Sequence, residues 1–280
     1  MKKLLKKLTC LTMALTATCA CAATFTACET DYPEVTLEIE FDGEVYELEY
    51  KLYRKVAPST VNHFLKLVEN GYYDGVCVHD YDAASSKLVT GAYTYTAGAD
   101  NGGLVYKNYY DIVKTYENFP HTVWADEAQQ TPTYTLYGEF SDNGFSVKKG
   151  ITDSLFGSLS MYYTSKTTSE DKVSVKRADG DGYSNKQYKY NSATSMFAIA
   201  LSESATTNSA YCTFATLVED SVDTLKDLKE AIEGYEDDLT NDYTVEVDRD
   251  DAFVYDHSLT AEYSVPSIAI VIKKATVGKY

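Results

Sequence analysis

The clearest pattern starts at Val35. Val35-Thr-Leu-Glu-Ile-Glu-Phe41 alternates apolar and polar residues without a slip, as a half-buried strand requires. Asp42-Gly43 is a tight-turn pair. From Glu44 to Tyr53 the alternation resumes, with Tyr46, Leu48, Tyr50 and Leu52 on one face, so the two runs predict a β-hairpin. Ala57-Pro58-Ser-Thr then opens a helix, because proline is pre-set for the first turn. Val61, Phe64, Leu65 and Val68 recur at helical spacing and Gly71 follows the end. A second helix is predicted from about Ser221 to Glu233, with Val222, Leu225, Leu228 and Ile232 inward and Gly234 after it. Short strands are expected at residues 75–79, 88–92, 134–137, 157–161, 196–201, 211–218 and 265–272. Many strands and two helices without regular strand–helix alternation favour a closed antiparallel barrel over a parallel sheet. Residues 93–133, 164–192 and 235–263 are polar, Tyr/Gly/Asn-rich or acidic, and are expected as long surface excursions.

The first residues change the picture of where the chain works. Met1-Lys-Lys-Leu-Leu-Lys-Lys is a positive leader, and Leu8 to Ala23 is an uncharged Ala/Thr-rich stretch, the pattern of an export signal. It ends in Phe25-Thr26-Ala27-Cys28, which resembles a bacterial lipobox with Phe25 at the usual leucine position. Cys28 is therefore expected to be lipidated and to become the mature N-terminus. Cys19 and Cys21 are competitors with less suitable residues before them, and ordinary signal cleavage nearby is the alternative. The expected organisation is a signal peptide at 1–27, a short acidic tether at 28–34 and one domain at 35–280.

Loss of Lys2, Lys3, Lys6 and Lys7 with that signal takes the formal charge from −17 to −21. Such a charge repels phosphate backbones, so nucleic-acid binding is excluded, and membrane contact is expected through the lipid anchor only. Of the six cysteines only Cys77 and Cys212 remain beyond Cys28, in apolar runs that suit small buried hydrophobes. No cysteine or histidine cluster has zinc spacing, and no cofactor is expected. The 26 tyrosines against the single Trp124 fit half-exposed strands and peptide-contacting surfaces.

Five segments, in order, resemble the cyclophilin family of peptidyl-prolyl cis-trans isomerases. They are APSTVNHFLKLVENGYYDG (57–75), YTLYGEFSDNGF (134–145), GSLSMY (157–162), SMFAIAL (195–201) and CTFATLVEDSVDTLKDLKEAI (212–232). The resemblance implies a mostly β fold, a closed antiparallel eight-stranded barrel with two capping helices and long loop insertions. It also implies a chemistry. An X-Pro bond resists rotation because the amide has double-bond character. The family lowers that barrier with an arginine that hydrogen-bonds the prolyl nitrogen as it pyramidalises, while an apolar pocket grips the ring.

Carried over singly, the family's Phe-His-Arg motif falls on Val78-His79-Asp80, which keeps the histidine and reverses the charge at the arginine. The Phe-Met-x-Gln segment falls on Lys87-Leu88-Val89-Thr90, leaving Leu88 as the apolar substitute. The Ala-Asn-Ala strip becomes Tyr162-Tyr163-Thr164. Met196 stands for the glutamine, Ala198 for the pocket phenylalanine, Thr206-Thr207 for the rim Trp-Leu pair and Tyr211 for the rim histidine. No arginine occurs between Arg54 and Arg177, so sliding the register does not restore one. His79 is expected as a packed barrel residue and not as a base. His63 falls on the helix flank, and His121 and His257 in loops.

Asp179-Gly-Asp-Gly-Tyr-Ser-Asn185 has oxygen ligands alternating with glycine but lacks the later glutamate of a calcium loop, and reads as a solvated acidic turn. No Gly-x-Ser-x-Gly elbow supports a hydrolase. Three readings follow: an active isomerase for exported proteins, a degenerate relative that binds proline-containing or basic segments, and an envelope protein acting through tyrosine-rich loops. The second accords best with Asp80. A monomer is expected.

Overall fold

The computed structural model describes residues 30–82, 86–145, 153–162, 172–177, 182–187, 192–203, 206–207, 212–235, 240–246 and 260–280. Eight strands make the barrel: β1 (Glu34–Phe41), β2 (Glu44–Leu52), β3 (Val76–Asp82), β4 (Lys87–Tyr95), β5 (Leu159–Met161), β6 (Phe197–Ala200), β7 (Thr213–Leu217) and β8 (Val271–Lys279). Their order is β6-β5-β7-β2-β1-β8-β3-β4, and β4 pairs back onto β6 to close the ring. Every pairing in it is antiparallel. This is the closed eight-stranded architecture expected from the sequence.

The local reasons are those of the pattern. In β1, Val35, Leu37, Ile39 and Phe41 are buried while the glutamates between them face outward. Asp42 and Gly43 both adopt left-handed φ (48° and 83°), as a tight hairpin turn demands. Helix α1 (Pro58–Glu69) buries Val61, Phe64, Leu65 and Val68 at one end of the barrel, where Phe64 meets Phe197 and Phe214 edge-on or tilted. A shorter helix α2 (Tyr109–Val113) and helix α3 (Val222–Glu233) complete the helical set among the described residues. α3 turns Leu225, Leu228 and Ile232 inward.

The first turn of α1 has no side-chain cap of its own. Its free N–H groups are taken by Glu139, from the Gly-Glu-Phe segment. The carboxylate accepts from Ser59 N (3.1 Å), Thr60 N (2.8 Å) and Thr60 Oγ1 (2.8 Å). Burial raises the Glu139 pKa, and these hydrogen bonds oppose the rise.

Two expectations need correction. The last barrel strand is Val271–Lys279, not residues 265–272; Pro266 ends a separate strand, Thr260–Pro266, and the chain bends before β8. Lysines at 273 and 274 break the apolar alternation of β8, which hides its extent in the sequence. The excursions are also not bare loops. Tyr109, Tyr110, Val113 and Phe119 enter the main core. Lys172–Lys176 and Tyr183–Gln187 form a small sheet with Val123–Trp124. Thr240–Glu246 pairs with Thr260–Pro266 as a hairpin.

Ring closure makes β8 indispensable, since it bridges β1 and β3. A chain ending at Ser267 is expected to lose its cooperative thermal melt entirely, because both neighbours are left with open edges. A retained sharp transition by calorimetry would count against this. Inside the barrel, the Tyr50 hydroxyl is fully buried without a hydrogen-bond partner among the described residues. Burial also drives its pKa far upward. Tyr50→Phe should therefore raise stability by about 1 kcal/mol in a denaturant titration.

Candidate peptide-binding face

Because side chains alternate across a strand, pairing register assigns each residue of β3 to β7 to the inside or the outside of the barrel. One row runs across the outer face: Asp80 opposite Val89, Val89 opposite Ala198, Ala198 opposite Ser160, and Ser160 opposite Thr213. Ser160 and Thr213 join through their hydroxyls at 3.0 Å. The flanking rows point inward. Leu88 pairs with Ile199 and Thr90 with Phe197, and Leu88, Ile199 and Phe197 all belong to the main core.

Leu88 and Thr90 therefore do not line a surface groove, as the sequence alignment had them. Leu88 fills the interior, and Thr90 donates to the Cys77 carbonyl (2.8 Å). The outward residue between them is Val89, which sequence reasoning passed over. In Leu88-Val89-Thr90-Gly91-Ala92-Tyr93 both faces are apolar or neutral, so the alternation carries no polarity signal.

The strand bulges after Thr90. Gly91 sits at φ +102°, and a Cβ there would lie 2.4 Å from the Ser195 carbonyl oxygen. This close approach is pinned from several sides. Ser195 Oγ donates to the Gly91 carbonyl (2.7 Å), Tyr73 OH donates to the Ser195 carbonyl (3.0 Å), and Tyr72 OH meets Ser195 Oγ at 3.0 Å. Next to it, a ring nitrogen of His63 meets the Thr194 carbonyl at 2.8 Å. The network fixes β6 against β4, and with it Ala198 and Met196. Its one sequence signal is Gly91 within an apolar run.

The outer face of β3 and β4 is built over by the inserted hairpin. Tyr263 and Val265 from its second strand pack with Cys77, Ala92, Tyr93 and Leu104, and half-buried Met196 lies at the margin. Ser264 N–H donates to Asp80 Oδ1 at 3.0 Å, so Asp80 holds the backbone of this strand pair. His79 is fully buried between Tyr93 (5.0 Å) and Tyr263 (4.8 Å, edge-on). Among the described residues its ring nitrogens make no hydrogen bond of good geometry, the Cys77 backbone being the nearest polar group that acts on the ring. Burial lowers its pKa to about 3, and the nearby Cys77 backbone opposes the shift.

Val89 and Ala198 are only 2% and 8% exposed, so the floor of the row is not an open pocket. Tyr162 is half-buried and donates its N–H to the Met196 carbonyl (2.9 Å). Thr206 and Thr207 pair with Ser154 and Asp153 as a short separate strand. Tyr163, Tyr211, Asp179 and Cys28 lie outside the described residues. Arg54 lies elsewhere, donating to Thr30 O (2.8 Å) and Asn62 Oδ1 (3.0 Å). Beside the hairpin, an open recess of about 430 Å³ is lined by Tyr95, the glycine-rich loop 98–103, Tyr243 and Val265 to Ser267.

Residues 36–249 match the family of cyclophilin type peptidyl-prolyl cis-trans isomerase/CLD, and the chain belongs to that family. Proteins named for peptidyl-prolyl cis-trans isomerase from Staphylococcus haemolyticus and Staphylococcus epidermidis are 36% and 38% identical over 58 residues. These matches take in 18% of this chain and 29% of each relative's length. A Cryptosporidium parvum cyclophilin type isomerase, crystallised in the presence of the dipeptide Ala-Pro, is 15% identical with a TM-score of 0.45, covering 88% of this chain and 99% of its own. A second structure of that protein gives 17% and 0.42, covering 89% and 99%.

Protonation of the buried histidines sets a pH dependence. The folded-state pKa values are depressed, to about 3 for His79 and about 4 for His63, in both cases chiefly by burial. The unfolded chain takes up these protons near pH ~6.5. Their stabilising contribution is thus complete above that pH and is lost as pH falls toward 4 and then 3, at about 1.4 kcal/mol per pH unit for each histidine. In His79→Phe the acid limb of a stability–pH curve should be shallower by one proton. An unchanged slope would show that His79 is not buried neutral.

Proposed function

We propose that this protein is held outside the cytoplasmic membrane by a lipid on Cys28 and binds peptide or protein segments of exported proteins, with weak or no isomerase activity. The observation that carries the reading is the Asp80–Ser264 hydrogen bond, 3.0 Å long. At the position where the family needs a cationic donor for the prolyl nitrogen, this chain has an acceptor that is already engaged by its own hairpin. Loss of a charged donor made chiefly in the transition state costs about 2.7–4 kcal/mol, by analogy with oxyanion-hole donors. Coverage of Val89 and Ala198 removes the apolar grip on a proline ring as well.

Segment binding is then sought beside the hairpin. The recess next to Tyr95 and Tyr243, about 430 Å³ and lined in part by the glycine-rich loop 98–103, is the candidate place for a short segment. Its two tyrosine rings pack closely on Gly103 and Gly102, so a bound segment would meet what remains of their surface. The leader Met1 to Lys7 and the Thr26-Ala27-Cys28 ending support export and anchoring.

The test is a protease-coupled isomerisation assay on a proline tetrapeptide with wild type and Asp80→Arg. Both are expected to remain close to the uncatalysed rate, because the single change restores a charge without reopening the pocket. Family-level turnover by the wild type would overturn the reading. Full rescue by Asp80→Arg would show that the pocket is intact.

A further inference from the structure

The stretch just after Cys28 is not free of the barrel. Thr30 N–H donates to the Tyr280 carbonyl (3.0 Å), Arg54 N–H to the Asp31 carbonyl (3.1 Å) and Leu52 N–H to the Pro33 carbonyl (2.8 Å). The buried Arg54 guanidinium locks the same place, donating to Thr30 O and lying 5.3 Å from the Tyr280 ring centroid. Residues Thr30 to Pro33 and Tyr280 are thus fastened together at one end of the barrel. Cys28 precedes Thr30 by two positions, and an extended chain spans about 3.3–3.6 Å per residue, so the lipidated residue lies within about 7 Å of that surface.

The surface there has the side chains of a membrane interface. Tyr32 is 43% exposed, stands edge-on to Tyr53 at 5.8 Å, and carries the Lys51 ammonium 4.4 Å from its ring centroid. Tyr53 OH is hydrogen-bonded to Thr216 Oγ1 (2.9 Å), and Tyr280 is half-buried beside them. Tyrosine rings settle at headgroup level with hydroxyls wet, and lysine stems lie along apolar surface with the charge in water. Lys55 is paired with Asp31 and Lys279 with Glu34 (3.6 Å), so this end escapes the strong negative charge of the chain as a whole.

We propose that the barrel end carrying Tyr32, Tyr53 and Tyr280 rests on the lipid headgroup layer, so that the anchored protein stands on the membrane in one orientation. The proposal depends on the lipid anchor proposed above. The occupant of this face is lipid, because a diacylated Cys28 leaves no room for a protein between Thr30 and the bilayer. Attraction comes from rings and acyl chains, while Lys55 and Lys279 are paired and Lys51 lies over the Tyr32 ring, so on zwitterionic phosphatidylcholine the contact should depend little on salt.

The experiment uses the full lipidated protein in phosphatidylcholine vesicles containing lipids brominated near the headgroup. Tyr32→Trp is placed in a Trp124→Phe background, and intact mass establishes acylation of Cys28. Blue-shifted emission that is quenched by the bromines is expected, and both effects should disappear when a flexible Gly/Ser spacer of about ten residues is inserted before Thr30. Should the substitutions disturb folding, amine labelling of the unsubstituted protein replaces them: Lys51 and Lys55 should be shielded on vesicles and reactive in the spacer variant. A diacylated Tyr32→Trp protein whose indole emission is unquenched, or one whose two lysines label equally with and without the spacer, overturns the proposal and leaves the anchor standing. An unacylated Cys28 overturns both.

Discussion

Closure of the sheet is the constraint on which everything else rests. β8 lies between β1 and β3, and β4 returns to β6, so no strand of the ring keeps a free edge. The outcome is an interior lined by Leu37, Ile39, Leu48, Tyr50, Leu88, Phe197 and Phe214, with α1 and α3 packed against the barrel. Such a ring fixes the facing of every residue, because a shift of one position would turn a whole apolar row outward. The same rule produces the row Asp80–Val89–Ala198–Ser160–Thr213 on the outside.

That outer face is where this chain departs from an open groove. The paired strands Thr240–Glu246 and Thr260–Pro266 turn a surface into a second, smaller core of Cys77, Ala92, Tyr93, Leu104, Tyr263 and Val265. An aspartate is useful under such a cover. It satisfies a hairpin N–H that would otherwise be stranded near apolar side chains, a role an arginine could not fill. Asp80 and the strand pair above it are thus two parts of one arrangement, in which His79 lies buried between two tyrosine rings.

Much of the scaffold is legible along the chain. β1, β2, α1 and α3 have one wet face and one dry face, so their alternation or helical spacing is clean and the buried positions agree. The five ordered segments lead to the family and the barrel. Legibility fails where both faces are buried. In β4, Leu88, Val89 and Thr90 are all covered, so polarity cannot tell inside from outside, and the alignment takes the two inward residues for the groove. It fails again at Val265-Pro266, where an apolar run spans two strands separated by a bend.

The sequence by itself determined the barrel, its main helices, the lysine-rich leader and the aspartate at position 80, because these are written in local periodicity and in residue identity. Only the tertiary structure decided that Asp80 binds Ser264, 184 positions away, and that Gly91 must admit the Ser195 carbonyl. It alone also showed that Thr30 to Pro33 are fastened to the barrel end. Each of these is a contact between segments distant in the chain or a backbone hydrogen bond that depends on no particular side chain, and neither leaves a period or a motif to read.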